Sequence, residues 1–305
     1  MIGDIKRLLL LPHIKVHNAN ALSSPFTIGF PAMTAWLGAT HALQRKLNMS
    51  CFENLRFNAT AVISHACDLQ THKGVGDYVY SIIGAGNPLE PKSEKGKPPG
   101  YAARPSFIEE ARCHLDVSLI IEYSGVAKDD ETLLLEKITH HLNFHMKIAG
   151  GDILNFNSPE VLKIEDGVDK DLRQLTRKLM PGYAIVERRE LMIEAMEQGQ
   201  DAIDALLDYL AIHHSCEKDE NSHVTWTSKR QTAGWIVPIA TGFHGISELG
   251  QAKNQRDADT PHRFAESIVT LGEFKMPHRI RSVNEILWQY QVEKENNLYL
   301  CQQVT

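Results

Sequence analysis

The fragment THHLNFH places His141 and His145 one helical turn apart, a spacing that lets two imidazoles share a metal ion. No Glu follows the first His, and an apolar stripe runs close by, so surface or half-buried histidines are the plainer reading. The chain has no Ser nucleophile elbow, no Walker loop and no dinucleotide glycine motif. The glycines of GAGNP (84–88) lack both a third glycine and a helix after them. Its five cysteines (Cys51, Cys67, Cys113, Cys216 and Cys301) are scattered without a CxxC pair, so neither structural zinc nor a disulfide framework is indicated. The histidines are plentiful but nowhere set with Lys or Tyr as metal-free RNA cleavage requires. The expectation is a chain with no catalytic residues, no metal ligands and no cofactor.

Four stretches suit polyanion binding better. HNANALSSPFTIGFP (17–31) offers Asn18, Asn20, Ser23 and Ser24, side chains that read base edges and phosphate oxygens, with Phe26 available to stack. Ala149-Gly150-Gly151 lets the backbone approach a phosphate, with Lys147 beside it. RQLTRKLMPGYAIVERR sets Arg173 and Arg177 one turn apart with Lys178 adjacent. QRDADTPHRFAESIVTLGEFKMPHRIR gathers Arg256, His262, Arg263, His278, Arg279 and Arg281 around Phe264 and Phe274. Each stretch also has a structural reading: turn chemistry for the Asn/Ser loop, helix packing for the glycines, solvated faces for the basic residues.

The elements that must position these residues follow from periodicity. Leu8–Val16 alternates as a strand, and residues 17–31 then read as a long loop. Met33, Trp36, Leu37, Thr40, Leu43 and Leu47 form the stripe of a first helix. Asn58–Ala66 is a second strand, and the alternation of Cys113, Leu115, Val117, Leu119 and Ile121 marks a third. Between them Asp77–Ile83 and the Gly/Pro/Lys-rich 84–105 suggest a β-hairpin arm over about 77–112. A helix at Glu131–Met146 precedes a further strand, with Tyr183–Glu187 or a piece near Val161 as candidates for the fourth. The order β-α-β-β-α predicts an α+β, ferredoxin-like βαββαβ core over 1–188. Residues 189–305 are expected to pack onto it, an imperfect repeat being one option, with helical segments at 189–213, 263–271 and 283–291 and a strand at 234–240.

With 305 residues, 43% hydrophobic and 23% charged, the composition is that of a folded chain. No apolar run is long enough for a signal peptide core or a membrane span, which makes the cytoplasm the default. The net charge of −6 weighs against an overall basic field. Residues 160–220, however, hold 15 Asp and Glu against 8 Lys and Arg, a net of −7, which leaves the remainder at +1. Local basic groups can therefore serve a polyanion, and the acidic stretch suits a basic partner surface.

NANALSSPFTIGFP, HALQRKL, LNFHMKIAGGDIL, RQLTRKLMPGYAIVERRE, GWIVPIATG and DTPHRFAESIVTLGEFKMPHR occur in an order that resembles one family over about residues 8–300. It is the family of subunits of type I-F CRISPR surveillance (Csy) complexes that grip the 5′ handle of the guide crRNA. These belong to the repeat-associated RNA-binding superfamily. The resemblance implies a non-catalytic RNA-binding subunit. Its partners would be the crRNA 5′ handle, the large Csy subunit as heterodimer partner and the adjacent backbone subunit, with target DNA engaged only indirectly. The arm would be a thumb-like hairpin reaching a neighbour. RNA contact is carried over to Asn18, Asn20, Ser23 and Ser24, and further to Gly150, Gly151, Arg256 and Arg263. Phe243 stands where the family pattern has Tyr and Phe274 where it has Trp, which weakens any role assigned to those two rings. The alternative from another class is a metal-independent endoribonuclease that processes precursor crRNA. Replacing Asn18 and Asn20 together by Ala is predicted to weaken handle binding by ~1–3 kcal/mol without unfolding the chain. A variant that melts early yet binds normally once folded would reduce the loop to turn architecture.

Overall fold

Leu8, Leu9, Leu10 and Leu11 are all buried, which a strand achieves only where both of its faces are covered. The computed structural model describes residues 5–84, 90–91, 102–103, 110–165, 168–218, 223–253, 255, 257 and 259–303. The four leucines lie in β1 (Ile5–Asn20), followed by α1 (Met33–Ser50), β2 (Arg56–Leu69), β3 (Arg112–Ser124), α2 (Glu131–Phe144) and β4 (Gly151–Asn155). In space the strands run β4-β1-β3-β2, every pair antiparallel. β5 (Glu160–Glu165) extends the free edge of β1 beside Leu8–Leu10.

Two irregularities in β1 decide what each face carries. Its register against β3 slips between Leu11 and Ile14 and again between Val16 and Ala19. Within these slips His13 and Asn18 take positive φ values of 50° and 61°. An extra residue at each slip reverses the pleat, so Leu9, Leu11, Ile14, Val16 and Ala19 all enter one core although their numbering changes parity. α1 and α2 close that core. α1 buries Met33, Trp36, Leu37, Thr40, Leu43 and Leu47, the stripe read from spacing, and α2 buries Leu134, Ile138 and Leu142. On the opposite face Leu8, Leu10, Ala61, Ile63 and Ile120 are covered by Leu175 and Leu179 of α3 (Asp169–Leu179) and by the turn Val283–Ile286. The other end of this face carries His13, Lys15, His17, His65, His114 and Asp116, none of them buried.

The second half continues the sheet. β6 (Tyr183–Glu187) pairs with the free edge of β2, and helices α4 (Arg189–Glu197) and α5 (Ala202–Leu210) follow. Then come β7 (Ile236–Gly245), β8 (Ala265–Lys275), β9 (Trp288–Glu293) and β10 (Leu298–Gln303). The path β2-β6-β8-β7-β10-β9 returns to β2 where Trp288 pairs with Thr60, so six strands close into a ring. With the short Lys147–Ile148 strand, eleven strands form this one sheet. Among the described residues no helix is long and apolar enough to cross a membrane.

Several expectations need correction. Residues 17–31 are not one loop: β1 runs on to Asn20, and Leu22–Ser24 pairs with Thr27–Ile28 in a small ribbon. Residues 263–271 are not a helix but belong largely to β8, and 283–291 is a helix only over the short 3-10 turn Val283–Ile286 before β9 begins at Trp288. Phe264, Ile268 and Leu271 have helical spacing, but pairing on both sides of β8 overrides it. The acidic 189–213 region is two helices, and His213 already begins a strand that pairs with Val224–Lys229. In the second half α4 and α5 lie between β6 and β7, while among the described residues β7, β8, β9 and β10 follow one another with no α-helix between them. In Asp77–Ile83 only Ser81–Ile82 is a strand, paired with Thr71–His72. Of the rest of the expected arm, Glu90–Pro91 pairs with Ala102–Ala103, while 85–89, 92–101 and 104–109 lie outside the described residues.

Trp288 is fully buried and its indole N–H donates to the Ile185 carbonyl at 3.0 Å, which ties β9 to β6 at the ring's closure. Trp288→Ala is expected to cost ~3–5 kcal/mol in urea denaturation. The exposed Trp235→Ala should stay within about 1 kcal/mol.

Candidate nucleic-acid interface

The turn after β1 and the turn before β4 are joined by a backbone bond, Asn20 N–H donating to the Ala149 carbonyl at 2.8 Å. Together with the first half of α1 they wall an open groove of about 700 Å³ lined by Asn20, Ser23, Thr34, Lys147, Gly150 and Phe243. The N-terminus of α1 opens into it through Pro31, Ala32 and Thr34. Ala32 makes no side-chain cap, and the first turn carries no acidic residue. Ala35 N–H donates to the Ala32 carbonyl at 2.9 Å, and the other N–H groups of the first turn, with the positive end of the helix dipole, point where an anion could sit.

The turn at 149–151 divides its labour. Ala149 and Gly150 both have positive φ, 48° and 76°, and a Cβ at Gly150 would meet nothing within 4 Å, so its backbone faces open space. A Cβ at Gly151 would instead lie 2.7 Å from the His17 carbonyl and 2.7 Å from Val16 Cγ1. Gly151 is required for β4 to reach β1, and it adds no group to the groove. The Lys147 ammonium bonds Asp152 at 2.6 Å, an exposed pair that holds the Asp152 carboxyl below the usual carboxylate range.

The remaining sequence-predicted residues separate by place. Asn20 spends both ends of its amide on the Leu22 backbone, accepting from N–H at 3.0 Å and donating to C=O at 3.2 Å. That is a turn-forming arrangement. Asn18 leaves the groove for the open sheet face, where its amide oxygen accepts from Gln70 at 3.0 Å. Ser24 is buried with its hydroxyl 2.6 Å from that of Thr27, Ser23 also bonds Thr27, and Phe26 stands exposed at the ribbon tip. Phe243 is shared with a second groove beside Gly245, Leu249 and Asn297, in which Arg263 lies and donates to Asn297 at 2.5 Å. Arg177, His278 and Arg279 belong to α3 and the Pro277–Arg279 turn packed near it, on the sheet face opposite α1. Arg256 lies outside the described residues.

The open face holds groups that sequence reading did not assemble. His13 stacks on His65 with centroids 4.1 Å apart, and His17 stacks on His114 at 4.5 Å. His13 Nδ1 lies 3.0 Å from an Asp116 oxygen. His65 Nδ1 donates to the Pro181 carbonyl at 2.5 Å, leaving Nε2 to accept from Ser118 at 2.7 Å. The alternation of His114, Asp116 and Ser118 on one side of β3 was visible. The bulge between Ser64 and Ala66 that delivers His65 was not. On α2, His141 is enclosed without a hydrogen-bond partner, and burial together with His145, His140, Lys46 and Lys137 lowers its pKa. Those two ammonium groups weigh against a cation at His141 and His145.

Burial pulls the His65 imidazole below the usual histidine range, and the neighbouring His13 adds to this while the Pro181 carbonyl and Asp116 oppose it. A lowered folded-state pKa means that the unfolded chain takes up the proton first. The stability contribution is complete above about pH 6.5 and is lost as pH falls below it. His65→Gln is expected to flatten part of the loss of Tm between pH 7.5 and pH 5.5; an unchanged slope would contradict this.

A family model described as CRISPR-associated protein (Cas_Csy2) matches residues 9–301. The CRISPR-associated protein Csy2 of Pseudomonas aeruginosa (strain UCBPP-PA14) is 32% identical over 325 residues, covering 98% of this chain and 95% of that protein. With both matches spanning essentially its whole length, the chain belongs to the Csy2 family of CRISPR-associated proteins.

Proposed function

We propose that this chain is the non-catalytic subunit that recognises the 5′ handle of the guide crRNA and helps assemble a type I-F DNA-surveillance complex. The observation that carries the reading is the groove between the Asn20–Ser23 turn, the Lys147–Gly150 turn and the uncapped start of α1. It joins two sequence stretches selected independently for polyanion chemistry. The spatial order β4-β1-β3-β2, with both helices on one face, supports a ferredoxin-like core. Handle specificity then comes from hydrogen bonds to splayed bases. The large Csy subunit and the adjacent backbone subunit are its protein partners. The acidic segment 160–220 is suited to a basic protein surface and not to RNA.

Gly150→Asp tests the groove. A Cβ there meets nothing within 4 Å, Asp tolerates positive φ, and its charge opposes phosphate. The variant is expected to keep its melting behaviour and to bind handle RNA at least ~10-fold more weakly, about 1.4 kcal/mol, in fluorescence anisotropy with the reconstituted subunit pair. Unchanged affinity would move the interface elsewhere. Incubating the chain with labelled precursor crRNA in EDTA should return intact RNA; a single site-specific product would establish the endoribonuclease alternative instead.

A further inference from the structure

On the open sheet face two bulges converge on one place. The slip between Leu11 and Ile14 in β1 turns His13 outward, and the slip between Ser64 and Ala66 in β2 turns His65 outward. These strands flank β3, and the two imidazoles lean together over Asp116 and Ser118 of the strand between them. A non-glycine residue at φ 50° is an uncommon and strained conformation. It serves here to hold a ring where regular pleating would not put it.

We propose that His13, His65 and Asp116 form a binding site for one borderline divalent metal ion of the Zn²⁺ or Co²⁺ class. One nitrogen of each imidazole and one carboxylate oxygen lie within 4.8 Å of one another, and all three residues are half-buried. Metal–ligand bonds of about 2.0–2.1 Å at tetrahedral angles put ligand atoms about 3.3 Å apart. The His13–Asp116 pair, at 3.0 Å, already meets that spacing. His65 has to close by no more than about 1.5 Å, sliding out of its stack and giving up the Ser118 hydroxyl.

The ligands are also oriented. Because the Pro181 carbonyl can only accept, the His65 proton is fixed on Nδ1 and the Nε2 lone pair is directed to the Ser118 hydroxyl, two residues along β3 from Asp116. A backbone carbonyl on the far nitrogen is the usual support of a metal-bound imidazole. The ion takes the place of the hydrogen bond between His13 and Asp116. Two histidines and one carboxylate leave further coordination positions open to solvent. Lys15 lies across from Asp116 in register but is exposed, and the ion pair of Asp116 is with His13. His213 with Asp208 and His244 with Glu266 are also close pairs, at 3.1 and 3.2 Å, but have no third ligand at such range among the described residues. Among the described residues this is the one cluster of three metal-ligating groups so closely spaced.

The test uses the full chain without a histidine tag, stripped with EDTA and dialysed, and titrated with Co²⁺ at pH 7.5. Appearance of visible d–d absorption is followed, and then its loss as Zn²⁺ competes. The wild type is expected to bind one equivalent. Asp116→Asn, His13→Gln and His65→Gln should each weaken binding at least ~10-fold, while His17→Ala and His141→Ala leave it unchanged. Asp116→Asn preserves size, so it remains informative if a histidine variant folds poorly, and circular dichroism checks each fold. Equal binding by wild type and Asp116→Asn, or no saturable binding up to about 1 mM, would overturn the proposal. Neither readout involves RNA, so the result is independent of the proposed handle recognition.

Discussion

The register of β1 against β3 is the constraint on which the rest depends. A regular strand of alternating parity would carry Leu9 and Leu11 into the core and then turn Ile14 and Val16 to solvent. The first slip keeps all four in one core under α1 and α2, the second adds Ala19, and the two turn His13 and Asn18 to the other side. The same local event thus completes the packing and furnishes the open face. Burying four such side chains is worth roughly 1.5–3 kcal/mol each. That is ample to hold two non-glycine residues at positive φ, at about 1–3 kcal/mol apiece.

From that strand the functional geometry follows by short connections. β1 ends at Asn20, whose backbone is clipped to Ala149, so the turn leading to α1 and the turn leading into β4 arrive together. Gly151 lets β4 come close enough for this, because any side chain there would strike the His17 carbonyl. α1 then starts in the resulting groove with its N–H groups uncapped. Asn20, Ser23, Thr34 and Lys147 stand in the groove among alanines, Leu22, Pro31 and Phe243, so a few polar groups and backbone donors, and not a basic field, are what a chain of net charge −6 offers an anion there. Its acidic segment is spent on α4, α5 and their surroundings.

What the sequence revealed was local in origin. The α1 stripe was readable because each of its buried residues lies three or four positions from the next. The β-α-β-β-α order was readable because those elements are long and strongly patterned. The turns carrying Asn20, Ser23, Lys147 and Gly150 stood out by composition, although nothing local said that they meet. β8 was misread because Phe264, Ile268 and Leu271 mimic helical spacing, and the helix at 283–291 was drawn too long because only pairing with distant strands ends it at Ile286 and selects β structure from Trp288. The His13–His65–Asp116 cluster joins three strands through two bulges. Its partners are up to 103 residues apart, and no single-strand pattern encodes such a meeting. Ser24 and Gly151 show the reverse case: chemically suggestive residues whose neighbours give them structural work.

The central claim is that the guide handle lies in the groove between the turn after β1 and the turn before β4. Ultraviolet crosslinking of the assembled subunit to its guide RNA, with the adducts mapped by mass spectrometry, tests this most directly. Adducts between handle nucleotides and peptides containing residues 18–26 and 147–151 are the expected result. Crosslinks confined to α3 and the Pro277–Arg279 turn, on the opposite face of the sheet, would contradict it.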